Sequence, residues 1–202
     1  MTDMRPRSPA PRPRPAWLRA THWINAGCLF AMLASGWRVY NAAPLHAFRF
    51  PRELTLGGWL GGALQWHFAL MWVLVANGLC YVAVNVCTGR LLRGLGALDP
   101  RALATDLRAA LRGRLAHERA GYNAVQVFAY AAVMLALVML VLSGLVLWKS
   151  VQFPLLRQAL GGYENARHVH FLAMAFVGLF AIGHVALAAL FPRTLLSMIR
   201  GR

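Results

Sequence analysis

Four histidines, His22, His67, His170 and His184, lie inside long apolar stretches of a 202-residue chain. Ionisable residues in such surroundings are costly to bury and are usually functional. His170 and His184 are 14 residues apart. At 100° per residue they are about 40° short of four full turns, so they share one helical face with a rise of about 21 Å. His168 falls about 160° from His184, on the opposite face, and reads as a boundary residue. A neutral imidazole is above all a metal ligand, so two histidines on one face are two chances to bind metal from one helix.

The stretches that carry them set the class of protein. Hydrophobic residues make up 59% of the chain and charged residues 13%, against roughly half and a quarter in soluble domains. Four runs are long enough to span about 30 Å of hydrocarbon as helices: roughly 17–40, 59–87, 122–148 and 168–191. No run shows the short alternating strands of a membrane barrel. The expected fold is all-α, an integral membrane four-helix bundle. Residues 1–16 read as a flexible basic tail, 17–193 as the bundle domain, and 194–202 as a basic C-terminal tail. Between the second and third runs, Leu103, Leu107, Leu111 and Leu115 recur at helical spacing among arginines, predicting an amphipathic surface helix within 99–119.

Charge sets the orientation. The net charge is +15. The N-terminal tail with Arg19, the middle loop and the C-terminus carry 15 basic residues, and the other two loops carry six, Arg38, Arg49, Arg52, Lys149, Arg157 and Arg167. The positive-inside rule places both termini and the middle loop in the cytoplasm. Basic loops beside anionic lipid account for the charge without nucleic acid.

With that orientation, His22 and His184 share the cytoplasmic half, and His67 and His170 the outer half. Two pairs of imidazoles on facing helices are the ligand set of two bis-histidine b-type haems. The alternatives fit less well. There is no C-x-x-C-H for covalent haem, and Cys28, Cys80 and Cys87 have no metal-ligand spacing. Zinc sites want more ligands, and no Asp or Glu lies within the four runs. Gly27, Gly36, Gly78, Gly144 and Gly178 leave room either for flat macrocycles or for close helix packing.

Several tracts resemble a known family. Arg19-Ala-Thr-His22-Trp23, Ser35-Gly36, Tyr40, Trp66-His67, Ala166-Arg167-His168-Val169-His170-Phe171 and His184-Val185 are similar to the bacterial cytochrome b561 and nickel-iron hydrogenase b-type cytochrome superfamily. Tyr122-Asn123-Ala124-Val125-Gln126 and Ser143-Gly144-Leu145 resemble its branch of cytochrome b subunits from thiosulfate reductases and formate dehydrogenases. The resemblance covers residues 17 to 193. It implies that His22 and His184 ligate a cytoplasmic-side haem b, and His67 and His170 a periplasmic-side one. It implies a quinone site near the first haem, at Asn123 and Gln126, which share a helical face or else cap and hydrate the helix start. It implies propionate contacts from Arg19 and Arg167, with Arg38 more an interfacial anchor. It also implies an inner-membrane relay of electrons between quinone and a periplasmic molybdopterin oxidoreductase, for which the long outer loops leave docking room. The rivals are a stand-alone superoxide:quinone oxidoreductase and a haem-free membrane anchor.

Overall fold

The computed structural model describes residues 15–89, 100–112, 124–190 and 192–201. The described residues fold into helices joined by short loops, with no strand among them. The first helix, α1, is Ala16–Ala42, and a single 3₁₀ turn, Arg52–Leu54, lies in the loop after it. Then come α2 (Leu60–Cys87), α3 (Pro100–Leu111), α4 (Ala124–Trp148), α5 (Pro154–Ala159), α6 (Tyr163–Leu190) and α7 (Pro192–Arg200).

Three helices, α2, α4 and α6, are long and apolar enough to cross a membrane. Helix α1 has 27 residues and is long enough. It is more polar, however, with Arg19, Asn25, Arg38 and Asn41 along its length. Buried residues are few and small: Ala63, Ala166, Ser35, Ser143, Val146 and Val177 are almost fully enclosed. Small residues are what close packing of membrane helices requires, because lipid removes the hydrophobic drive to bury large ones. Large side chains such as Leu79, Leu135, Leu179 and Ile182 are exposed along the outside, as a lipid-facing surface demands.

The bundle consists of two closely packed hairpins, α1 with α2 and α4 with α6. Close backbone approaches between the two hairpins are few. The first hairpin is closed by a structured loop. Leu56 N–H reaches back to the Ala34 carbonyl (3.0 Å), and Asn41 pairs with both backbone groups of Phe50 (2.8 and 2.9 Å). Gly57 turns the chain into α2 with φ 106°, and a Cβ there would stand 2.4 Å from Ala63 backbone atoms, so only glycine fits. Arg167 ties the second hairpin to this loop, donating to the Ala43 carbonyl (2.7 Å) and to Glu164 (2.8 Å).

Two surface helices occupy the opposite end. Helix α3 lies within the expected 99–119 segment, and its Asp106 carboxylate accepts the Ala124 N–H (2.9 Å), capping α4 from outside the helix. Residues 192–200 are helical, although the sequence suggests a tail from 194 onward. The pattern Leu195, Leu196, Met198, Ile199 is too short for a periodicity reading to separate from the long helix before it. Two donors of α1 hold the end of α7: Arg19 bonds the Ile199 carbonyl (2.8 Å) and Trp23 Nε1 bonds the Met198 carbonyl (3.1 Å). They satisfy carbonyls that a helix C-terminus leaves without partners.

Candidate functional site

Each hairpin contributes two histidines, and they meet across the gap between hairpins. His22 of α1 faces His184 of α6, with ring centroids 6.0 Å apart and planes at 62°. His67 of α2 faces His170 of α6 at 6.5 Å, also at 62°. A metal ion bonded to one nitrogen of each ring at about 2.0 Å sets the centroids roughly 6.4 Å apart, so both separations match a shared ion. The 14-residue spacing on α6 sets the two pairs about 21 Å apart.

The His67–His170 pair is built from a repeated unit. Ser35 Oγ of α1 lies 3.1 Å from His67 Nδ1, and Ser143 Oγ of α4 lies 2.9 Å from His170 Nδ1. Both serines are fully buried. The next residue in each case is a glycine against the same ring. A Cβ at Gly36 would lie 3.4 Å from His67 Cε1, and one at Gly144 would lie 3.4 Å from His170 Cε1. Of the other glycines expected to thin the spans, Gly27 and Gly78 face open space and Gly178 touches only Leu33.

Around the His22–His184 pair, Trp23 packs edge-on to His22 (5.3 Å) and Phe180 stacks on His184 (5.8 Å). Asn77 of α2 donates to the Thr21 carbonyl (2.9 Å) and to Asn25 Oδ1 (2.7 Å) on α1. These amides escape a sequence search aimed at ionisable groups. Beyond the other pair, Tyr40, Phe48, Phe50 and Phe171 form an aromatic cap, with Tyr40 stacked on Phe171 at 5.2 Å. His168 points into this cap, 6.2 Å from His46.

The remaining expected residues take varied places. Arg19 is held at the end of α7, yet its Nε is a buried donor without a partner among the described residues. Trp37 Nε1 is another. Both are donors of the kind a haem carboxylate accepts from. Arg167 is engaged by Glu164 and Ala43. Gln126 is exposed at the start of α4. Asn123 lies outside the described residues.

The residues therefore fit two bis-histidine haems on three counts. The imidazoles are paired at ligating separation, the hairpins approach closely at few points, and unpartnered donors lie three residues before His22 and two after Ser35.

Comparison with known proteins agrees in class. The family described as prokaryotic cytochrome b561 matches residues 14–201. A protein of Azospira oryzae, provisionally named protein-methionine-sulfoxide reductase subunit YedZ1, is 53% identical over 188 residues, covering 93% of this chain and 95% of that one. No solved structure matches the chain.

Proposed function

The chain belongs to the prokaryotic cytochrome b561 family, and on that premise we propose that it is a four-span, di-haem electron carrier between membrane quinone and a periplasmic oxidoreductase. It is a multi-pass protein of the bacterial cytoplasmic membrane. The observation that carries the proposal is the pair of histidine couples at 6.0 and 6.5 Å, each joining one hairpin to the other.

His22 and His184 would hold the haem nearer the cytoplasm, and His67 and His170 the one nearer the periplasm. When bound, the haems supply one-electron redox chemistry, and the protein supplies ligation, spacing and surroundings. Arg19 Nε and Trp37 Nε1 would donate to haem carboxylates. The hairpins exclude water, and the apolar outer faces keep the site at membrane depth. Helix α1 is the fourth span, and both termini are cytoplasmic. Asn123 and Gln126, at the cytoplasmic start of α4, would hydrogen-bond a quinone carbonyl.

The 53% identity to a protein named as a reductase subunit supports a partner over stand-alone activity. The partner would be a periplasmic molybdopterin-type enzyme that reduces methionine sulfoxide in proteins. Sulfoxide reduction takes two electrons and two protons and releases water, and one quinol yields two of each.

The test is a reduced-minus-oxidised spectrum with pyridine-haemochrome quantitation. Two haems b per chain are expected, falling to about one in His67→Ala and in His184→Ala. Folded wild-type protein without haem, from haem-replete cells, overturns the proposal in favour of a membrane anchor.

A further inference from the structure

We infer that Ser35 and Ser143 are positioning residues of the outer histidine pair: each holds its histidine in the Nδ1–H tautomer, leaves Nε2 as the ligating nitrogen, and so sets the potential of the haem there. The inference rests on the haem reading above and deepens it at one of the two sites.

The argument is a count of protons. A serine hydroxyl has one hydrogen to donate. Ser35 Oγ lies 3.1 Å from the Met32 carbonyl and 3.1 Å from His67 Nδ1. Ser143 Oγ lies 2.5 Å from the Met139 carbonyl and 2.9 Å from His170 Nδ1. A carbonyl oxygen has no proton to give, so a serine that bonds it does so as the donor. The second contact is then a hydrogen bond only if Nδ1–H donates to the serine oxygen. In a neutral imidazole that leaves the lone pair on Nε2. Both serines are fully buried, so water cannot compete for either bond.

The same unit occurs twice. Ser35-Gly36 on α1 serves His67 of α2, 32 residues on from the serine, and Ser143-Gly144 on α4 serves His170 of α6, 27 residues on. In both, the glycine lets the ring lie against the neighbouring helix while the serine sets its rotation. The two histidines that would share one iron are thus held by the same unit, one from each hairpin. A metal-bound histidine that donates its other N–H becomes a more basic ligand. A more basic ligand favours the ferric state and lowers the potential.

The experiment compares purified full-length wild type with three double variants, at positions 35 and 143 together: Ser→Ala, Ser→Thr and Ser→Val. Potentiometric titration gives the midpoint of each haem, and His67→Ala identifies the outer component. Ferric low-spin resonance reports ligand-ring orientation independently of any turnover. Expected in the alanine variant is a rise of the outer midpoint by about 59 mV, a tenfold change in the ferric-to-ferrous ratio of a one-electron couple. The outer resonance broadens, and the inner haem is unchanged. Threonine restores both readouts, and valine, with the same shape and no hydroxyl, does not. An outer midpoint and resonance unchanged in the alanine variant, with two haems retained, overturn this inference and leave the haem reading standing. So does identical behaviour of threonine and valine. A wild type that holds no haem overturns both.

Discussion

At the scale of single residues, how close an imidazole can lie to a neighbouring helix is decided by the size of the side chain it meets there. An alanine methyl at position 36 would sit 3.4 Å from His67 Cε1 and 3.7 Å from Nδ1, which is ordinary contact. A branched side chain would extend into the ring and part it from Ser35. Gly36→Ala is therefore expected to keep two haems, and Gly36→Val to keep only the one at His22 and His184, read by pyridine haemochrome. Retention of both in the valine variant would show that the ring has room to move. The histidines were legible in the sequence because an ionisable group in an apolar run stands out. Ser35 and Ser143 are visible only as marks of resemblance, and Gly36 and Gly144 beyond that only among glycines that leave room for macrocycles or helix packing. Their role depends on which helix faces which, and serine–histidine separations of 32 and 27 residues do not reveal that. Arg19 is a different case. Its place near His22 follows from sequence, but its bond to the Ile199 carbonyl depends on helix α7, which the sequence pattern does not announce.

At the scale of elements, each hairpin is joined by small residues and a few polar ties. Asn77 ties α2 to α1 near His22, donating to the Thr21 carbonyl and to Asn25 Oδ1. Interhelical hydrogen bonds in membranes average about 0.6 kcal/mol and reach about 1.7, because the separated helices find other partners in the bilayer. Asn77→Leu is expected to lower stability within that range in detergent unfolding and to leave haem content unchanged. Loss of the His22–His184 haem in this variant would instead make Asn77 part of that site. Helix type and order were legible from hydropathy and length. The ends were not. Helix α6 begins at Tyr163, before the apolar run that starts near His168, and Glu164 and Arg167 pair in its first turn, a pairing that hydropathy counts only as two charges. Helix α7 is illegible for the opposite reason, since nine residues following a long helix have too little pattern to announce a new direction.

At the scale of the whole molecule, the surface helices divide between two ends. Helices α3 and α7 lie at the end of the His22–His184 pair, and α5 and the Asn41–Gly58 loop lie at the other. In the sequence, 15 basic residues fall in the N-terminal segment, the middle loop and the C-terminus, and six in the other two loops. That imbalance is the physical basis for placing the first end in the cytoplasm, where lysine and arginine resist translocation. In the proposed relay it also sets where a periplasmic partner would dock, at the second end beside His67 and His170. Leu155 on α5 is 80% exposed and Leu107 on α3 is 48% exposed, so each reports one end. With Cys28, Cys80 and Cys87 replaced, Leu155→Cys is expected to react with an impermeant maleimide on intact cells. Leu107→Cys is expected to react only after the membrane is opened. The reverse pattern would place the serine-held histidine pair on the cytoplasmic side. A periplasmic oxidoreductase would then face the quinone end of the bundle, and the relay proposed here would have no route to it.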